Sequence, residues 1–295
     1  MAIGLITKYV PLLDEVYKKG LATSVLQGNS SLVRETQQAN SVLIPKISTQ
    51  GLADYDKASG FVTGTANLTW ETYTFSQDRG RSFTIDNADN IETAGVAFGS
   101  LSSDFVATNV TPETDAYRFA TLASEAGNSA AATLTKTTAV EAIDTAVEAM
   151  DNANVPAEGR ILFVSPAVYK FVKQAENFSR DVTPGKDPNR NFGMFDDMQI
   201  VKVPQTRFYS EITMNDGTTS GQEEGGYVKT ETTGKDINFM IVHPTAVVPV
   251  TKINEPRVFE PQVNQDADAY KFQLRLYHDC FVFANKTDGI YVHTK

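Results

Sequence analysis

Residues 42–75 contain two β-type stretches on either side of a turn-rich segment. The stretch VLIPKI (42–47) is apolar but includes Pro45, which is typical of an edge strand or an extended arm. It is followed by the turn-rich STQGLADYDKASG (48–60) and then by FVTGTANLTWETYTF (61–75), a pattern that predicts a long two-stranded β-projection. Because an isolated two-stranded ribbon is only marginally stable in water, this projection needs a surface to lie on. The rest of one chain need not supply that surface.

The composition is that of an acidic globular protein. Of the 295 residues, 41% are hydrophobic, and 36 acidic residues against 26 basic ones give a net charge of −10. Tight nucleic-acid binding relies on many Lys/Arg–phosphate contacts, so the chain as a whole should not bind DNA tightly. The lone Cys280 excludes an intrachain disulfide, and no apolar run approaches the roughly 20 residues that span a bilayer. The opening residues do not form a signal peptide, and we expect a soluble protein without membrane association.

Outside the projection, helical and β-type patterns alternate, which predicts a mixed α+β fold. Residues 1 to about 40 have no sustained hydrophobic face and are expected to form an arm. Helices are predicted at 111–126, 137–150 and 167–176, and where Ala94, Phe98, Leu101 and Phe105 recur at helical spacing. In the helix 111–126, Thr111 is predicted to be the cap and Pro112 to occupy the first helical position. Strands are predicted at 159–166, 198–204, 237–253 and 269–283 and after the turn at Asp288–Gly289, with a flexible surface loop at 214–226.

The sequence lacks the motifs of common catalytic sites. There is no G-x-S-x-G elbow, phosphate loop, dinucleotide fingerprint or H-E-x-x-H pair. His278 and Cys280 would project from one face of a strand, but such catalytic partners are normally distant in sequence, so a buried structural cysteine is the preferred interpretation. We therefore predict no catalytic residue and no cofactor.

One short segment imitates a calcium loop. Asn264, Asp266 and Asp268 stand at alternate positions, as ligands do at the start of such a loop. The sixth position is Ala269 instead of glycine, and the twelfth is Arg275 instead of glutamate. The pattern therefore predicts no metal site.

The order of elements resembles that of the HK97-type major capsid proteins of tailed bacteriophages. The segment SVLIPKI…GLADYD…G, followed by W…T…DRGRSFTIDNADN.ET, resembles the extended loop of that family and its return. TPETDAYRFATLA resembles the spine helix, EGRILFVSPAVYKFVK a strand and helix of the axial domain, and NKTDGIYVH a closing strand of the peripheral domain. The resemblance implies the following layout: an N-terminal arm (1–40), an extended β-hairpin loop (41–86), a peripheral domain with the spine helix (87–130), an axial domain (131–250) and peripheral strands (251–295).

The resemblance also implies a function. Such proteins assemble as pentamers and hexamers into an icosahedral shell around packaged double-stranded DNA, inside which an acidic wall would not hold the DNA. Scaffolding, portal and possible decoration proteins would be its partners, and the protein would reside in the virion capsid after assembly in the host cytoplasm. Some relatives cross-link their subunits through a lysine and an asparagine; Lys46, Lys57 and Asn285 lie in comparable regions, but no local motif assigns them that role.

Three residues are candidates for contacts between subunits. Trp70, the only tryptophan, lies in the middle of the ribbon, and aromatic residues are enriched at interface hot spots; packing within its own chain is the equal alternative. Arg79 and Arg81, at the base of the ribbon, are hypothesised to bind carboxylates of neighbouring subunits, because the planar guanidinium suits such contacts. A solvated strand face is the alternative for both.

Other classes of protein remain open at this stage. An encapsulin-like nanocompartment would use the same fold to enclose protein cargo, and an unidentified cytoplasmic enzyme could use a buried Cys280. A tail-tube or decoration protein is weakened by the two well-formed helices at 112–126 and 137–150.

Overall fold

The computed structural model describes residues 20–26, 34–35, 40–58, 60–87, 96–174 and 194–295. Most of the predicted arm, namely residues 1–19, 27–33 and 36–39, lies outside these ranges, as do Ala94 and the side chain of Phe98. In chain order, the strands are β1 (Arg34–Glu35), β2 (Ser41–Thr49), β3 (Ala66–Thr74), β4 (Gln77–Asp86), β5 (Asn128–Ala131), β6 (Ile161–Val164), β7 (Met194–Phe195), β8 (Met198–Lys202), β9 (Ile212–Met214), β10 (Tyr227–Lys229), β11 (Ile237–Val242), β12 (Val247–Phe259), β13 (Ala269–Val282) and β14 (Ile290–Thr294). The α-helices are α1 (Val96–Phe105), α2 (Thr111–Ser124), α3 (Ala139–Asn152) and α4 (Pro166–Gln174).

A mixed six-stranded sheet is the centre of one lobe. Its strand order is β5-β14-β11-β6-β8-β7, and all four residues of β6 are buried. Helix α3 packs against it through Ile143, Ala146 and Met150, whereas the acidic Glu141, Asp144 and Glu148 of the same helix face solvent. This amphipathic division is the one that the sequence predicts.

The last strand of the chain is part of the six-stranded sheet. Ile290–Thr294 was assigned with the other C-terminal strands to a peripheral domain. In the structure it lies inside the six-stranded sheet, antiparallel to β11 and parallel to β5. All of its residues except Thr294 are buried. The apolar strand that follows the tight turn at 287–289 therefore lies in a sheet where its side chains are covered.

The other lobe contains a three-stranded antiparallel sheet in the order β12-β13-β4. One face of β13 is apolar, as the alternation of the sequence predicts, and Phe272, Leu274 and Leu276 are buried on it. Strand β4 was grouped with the hairpin that precedes it. It pairs instead with β13 along its whole length, from Gln77 opposite His278 to Asp86 opposite Ala269.

A long helical segment, comprising α1, a π-helical turn (Val106–Val110) and α2, connects the two lobes. The predicted break near Pro112 is this π turn, since proline has no amide hydrogen and its ring crowds the carbonyl one turn earlier. The prediction that Thr111 caps a new helix is wrong. Because the helix continues through it, the Thr111 hydroxyl donates backwards to the Val106 carbonyl at 2.9 Å. Among the described helices, none is long and apolar enough to cross a membrane.

The predicted projection is a hairpin in which β2 and β3 pair antiparallel from Ser41 opposite Thr74 to Thr49 opposite Ala66. The short strand β1 adds to the edge of β2. The hairpin comprises residues 41–74, and the chain leaves it at Phe75 to enter β4.

Candidate assembly surface

The base of the hairpin is anchored on its own chain by aromatic packing. The ring of Phe75 lies 4.9 Å from that of Tyr277 and 5.7 Å from that of Phe281, and Tyr73 lies 5.1 Å from Phe281. Val42 is buried in the same cluster. Pairs of aromatic rings at these distances stabilise a contact beyond the area that they bury, so the root of the hairpin is fixed.

A buried carboxylate holds the turn from the hairpin into β4. Asp279 accepts hydrogen bonds from the backbone amide of Ser76 at 2.8 Å and from its hydroxyl at 3.0 Å. The Tyr117 hydroxyl of α2 donates to the same carboxylate at 2.7 Å. Burial, together with the neighbouring Asp279, raises the pKa of Tyr117 to about 12, so this phenol stays protonated as a donor. The hairpin therefore leaves the body in one defined direction.

The distal half of the hairpin has large apolar side chains in solvent. Leu52 is fully exposed, and Phe61 is 89% exposed. The ring of Phe61 packs against that of Tyr55, also at the tip, with 4.8 Å between the ring centres. Further exposed apolar residues of the hairpin are Ile47, Val62 and Leu68. Large exposed apolar surfaces are typical of interaction sites, so the distal half of the hairpin is a candidate contact surface.

Trp70 lies on the exposed part of β3, opposite Pro45. The Arg34 guanidinium of β1 covers one face of its ring at 4.4 Å, and 36% of the residue remains exposed. A cation over an indole face is a favourable contact. Trp70 thus packs within its chain and keeps part of its surface exposed, and its predicted contact with a neighbouring subunit stays a prediction.

Arg79 and Arg81 lie together on the face of β4 that is turned toward α2, in a different sheet from Trp70. Arg79 donates through Nε to Glu113 at 2.7 Å, and Arg81 donates through Nη2 to the Glu223 carbonyl at 3.0 Å. Both arginines thus already have partners in their own chain. Their predicted contacts with carboxylates of other subunits stay a prediction.

The residues considered for cross-linking lie apart. Lys46 and Glu71 form an ion pair across the hairpin with 2.9 Å between Nζ and Oε1, and the hydrogen bond from Lys46 lowers the pKa of Glu71. Lys57 lies in the exposed tip of the hairpin. Asn285 is also exposed, and it follows β13 of the three-stranded sheet. This arrangement does not assign any of the three to a bond-forming site.

The thiol and imidazole of β13 are unsuited to catalysis. Cys280 is buried, and burial raises the pKa of its thiol to about 12. His278 is also buried; burial, with Arg118 and Arg79 nearby, lowers its pKa to about 3. At neutral pH the sulfur therefore carries its proton and the imidazole is neutral, so the enzyme alternative loses its candidate nucleophile.

The buried His278 predicts acid sensitivity of the subunit. Between its folded pKa of about 3 and its unfolded value of 6.5, the unfolded chain binds a proton that the folded chain does not. Stability should therefore fall as the pH drops below 6.5, by up to about 1.4 kcal/mol per pH unit. Urea denaturation of the unassembled subunit at pH 7, 6 and 5 measures this slope, and His278→Gln should make it shallower. Parallel slopes for the two proteins would contradict the prediction.

The segment that imitates a calcium loop is a turn. The side-chain oxygen of Asn264 accepts a hydrogen bond from the backbone amide of Asp266 at 3.3 Å, and its side-chain nitrogen donates to the Ala269 carbonyl at 2.9 Å. The Asn264 oxygen is therefore used within the turn. Within the described ranges, no group of three or more His, Cys, Asp or Glu side chains is arranged to hold a metal ion.

No protein-family model matches the chain, and no curated protein matches it in sequence. Solved structures match it in fold. A structure from Mycobacterium phage Che8 superposes with a TM-score of 0.60 at 17% identity, covering 87% of this chain and 85% of that chain. The mature capsid of bacteriophage PhiM1 gives 0.59 at 15% identity, covering 91% and 86%. A virus-like particle from Pyrococcus furiosus gives 0.52 at 11% identity, covering 95% of both chains.

At these identities the likeness is one of fold, and it extends over most of each chain. The mixed α+β architecture and the resemblance to tailed-phage capsid proteins are thereby confirmed. The division into arm, extended loop, peripheral domain and axial domain stays a prediction.

Proposed function

We propose that this chain, which has the fold of phage capsid proteins, is the major capsid protein of a tailed bacteriophage. Copies assemble as pentamers and hexamers into an icosahedral shell that encloses packaged double-stranded DNA. The protein is structural, needs no cofactor, assembles in the host cytoplasm and ends in the virion capsid. Scaffolding and portal proteins, and in some phages decoration proteins, are its partners.

The observation that carries the proposal is the contrast between the two ends of the hairpin. Its base is fixed by the aromatic cluster around Phe75 and by Asp279, whereas Leu52 and Phe61 at its tip are in solvent. A rigid root and an apolar tip suit an element that docks on another copy of the chain. Trp70, part-way along the hairpin, extends this contact surface.

The acidic composition supports a container more than a DNA-binding protein. With 36 acidic and 26 basic residues, the chain lacks the excess of positive charge that tight phosphate binding requires. DNA packed inside such a shell is enclosed without sequence-specific contacts.

A nanocompartment shell is the second candidate, favoured by the likeness to the virus-like particle from Pyrococcus furiosus. The two functions differ in cargo. Particles purified from the native source and treated with nuclease should retain protected DNA if the chain is a phage coat. Particles that instead retain a cargo protein and no DNA would favour the nanocompartment.

Negative-stain microscopy of the purified protein tests the shell itself, and trypsin digestion tests the role of the hairpin. We expect uniform closed particles, in which Lys57 at the exposed tip is protected from trypsin, whereas the dissociated subunit is cut there rapidly. A stable monomer or small dimer at micromolar concentration would refute both shell functions. Closed particles in which Lys57 is cut as fast as in the free subunit would refute docking of the tip.

A further inference from the structure

The loop 215–226 between β9 and β10 lies within the segment 214–226 that the sequence predicts to be a flexible surface loop, and the structure shows it closed by internal hydrogen bonds. Its ends are joined by a hydrogen bond from the Asn215 amide to the Gly226 carbonyl at 2.9 Å. Inside it, the Asp216 carboxylate accepts from the hydroxyl of Thr219 at 2.6 Å and from its amide at 2.8 Å. These bonds hold the pKa of Asp216 below its usual range. The loop is therefore closed by hydrogen bonds of its own.

Arg79 joins this loop to two other elements through one side chain. Its Nη1 donates to the Asn215 carbonyl at 2.7 Å and its Nη2 to the Gly226 carbonyl at 3.2 Å. Its Nε donates to the Glu113 carboxylate of α2 at 2.7 Å, in an ion pair whose side chains are only 24% and 16% exposed. Every nitrogen of the guanidinium thus holds a different group, and the bonds link β4, α2 and both ends of the loop.

Arg81 adds a second attachment two residues along the same strand. Its Nη2 donates to the Glu223 carbonyl at 3.0 Å. Gly217, with φ of +76°, lies so close that a Cβ added there would be 2.9 Å from Nη1 of Arg81. A larger residue at this position would be strained and would push the arginine away. The loop is therefore shaped to fit over the two arginines.

The two sides of this joint belong to different sheets. Strand β4 is an edge of the three-stranded sheet, whereas β9 and β10 form a separate two-stranded sheet, which lies in the chain between β8 and β11 of the six-stranded sheet. We propose that Arg79, Arg81, Glu113 and the loop 215–226 form a clasp that fixes the orientation of the three-stranded sheet relative to the six-stranded sheet, and so sets the curvature of the shell.

The link from the clasp to curvature rests on the proposed function. In an assembly of identical subunits, the rotation from one copy to the next decides whether and where the assembly closes. A small change of angle between the two sheets of each subunit is repeated at every contact. If the angle between the two sheets can vary, the subunits should build particles of several sizes. If the clasp fixes this angle, they should build particles of one size.

The clasp is tested by Arg79→Gln and Glu113→Gln, with Arg257→Gln as the matched control. Arg257 lies on the opposite face of the same sheet, and its side chain is 63% exposed in an ion pair with Glu255. A hydrogen bond to a charged group typically contributes enough to change an equilibrium about tenfold or more. We expect hydrogen exchange of the amides in loop 215–226 to rise about tenfold in Arg79→Gln, less in Glu113→Gln, and not at all in the control.

The second measurement is the distribution of particle diameters by electron microscopy. We expect one diameter for the original chain and for Arg257→Gln, and several diameters or open sheets for Arg79→Gln. Unchanged exchange in the loop would overturn the clasp. Faster exchange with unchanged diameters would overturn its role in curvature. If the original chain forms no shell, the proposed function and the curvature role fail together, while hydrogen exchange still decides the clasp on its own.

Discussion

Replacing Leu52, Phe61 and Val62 with serine is expected to abolish shell formation while leaving the folded subunit as stable as before. The three side chains are exposed in the single chain, so they contribute nothing to its own core. Burying a large apolar side chain typically stabilises an interface by about 1.5–3 kcal/mol. The loss recurs in every subunit of a shell, so a moderate defect in one contact becomes a complete failure of assembly.

Electron microscopy and light scattering would measure assembly, and thermal melting of the unassembled subunit would measure stability. A matched control is the pair Met194→Ser and Val228→Ser, which removes exposed apolar side chains from β7 and β10, away from the hairpin. The control should assemble normally. Shells formed in normal yield by the triple hairpin variant would show that the tip is not an assembly contact, and a lowered melting temperature would show that it packs on its own chain.

The parts of the fold that local sequence patterns govern were predicted well. The amphipathic α3, the alternating β13 and the hairpin follow from periods of 3.6 and 2 residues and from turn residues, which act over short stretches. A break in the long helix near Pro112 was also predicted from the chemistry of proline, although its π-helical form was not. Each of these features is decided by neighbours in the chain.

The parts that depend on distant residues were not predicted. Strand β4 continues directly from the hairpin, and its sequence does not indicate that it pairs with β13 nearly two hundred residues later. The loop 215–226 has the glycines and polar residues of a flexible segment. It is closed by its own hydrogen bonds and is also bound by Arg79 and Arg81, which only the folded chain brings near. Asp279 could have been recognised from the sequence. It is an acidic residue within the apolar run of β13, and an acidic residue inside a buried strand usually has specific partners.

The buried Asp115 was likewise missed, and it holds the segment 20–26 against α2. It is fully buried, and it accepts hydrogen bonds from the amides of Ala22 and Thr23 at 2.9 and 3.1 Å. It also accepts from the Thr23 hydroxyl at 2.8 Å and from Arg207 at 3.2 Å. A carboxylate in such a place is stable only because these donors replace the water that it has lost.

Asp115→Asn should therefore destabilise the subunit by about 3 kcal/mol or more, since it leaves the backbone donors facing an amide and removes the partner of a partly buried arginine. Urea denaturation measures this loss, and limited proteolysis should show a first cut near 20–26.

The matched control is Glu255→Gln, whose exposed ion pair with Arg257 should contribute at most about 1 kcal/mol. If both variants lose less than 1 kcal/mol, the segment 20–26 is held by the packing of Leu21 and Leu26 and not by the carboxylate. A large loss in Asp115→Asn alone would show that the Asp115 carboxylate holds the segment 20–26 against α2.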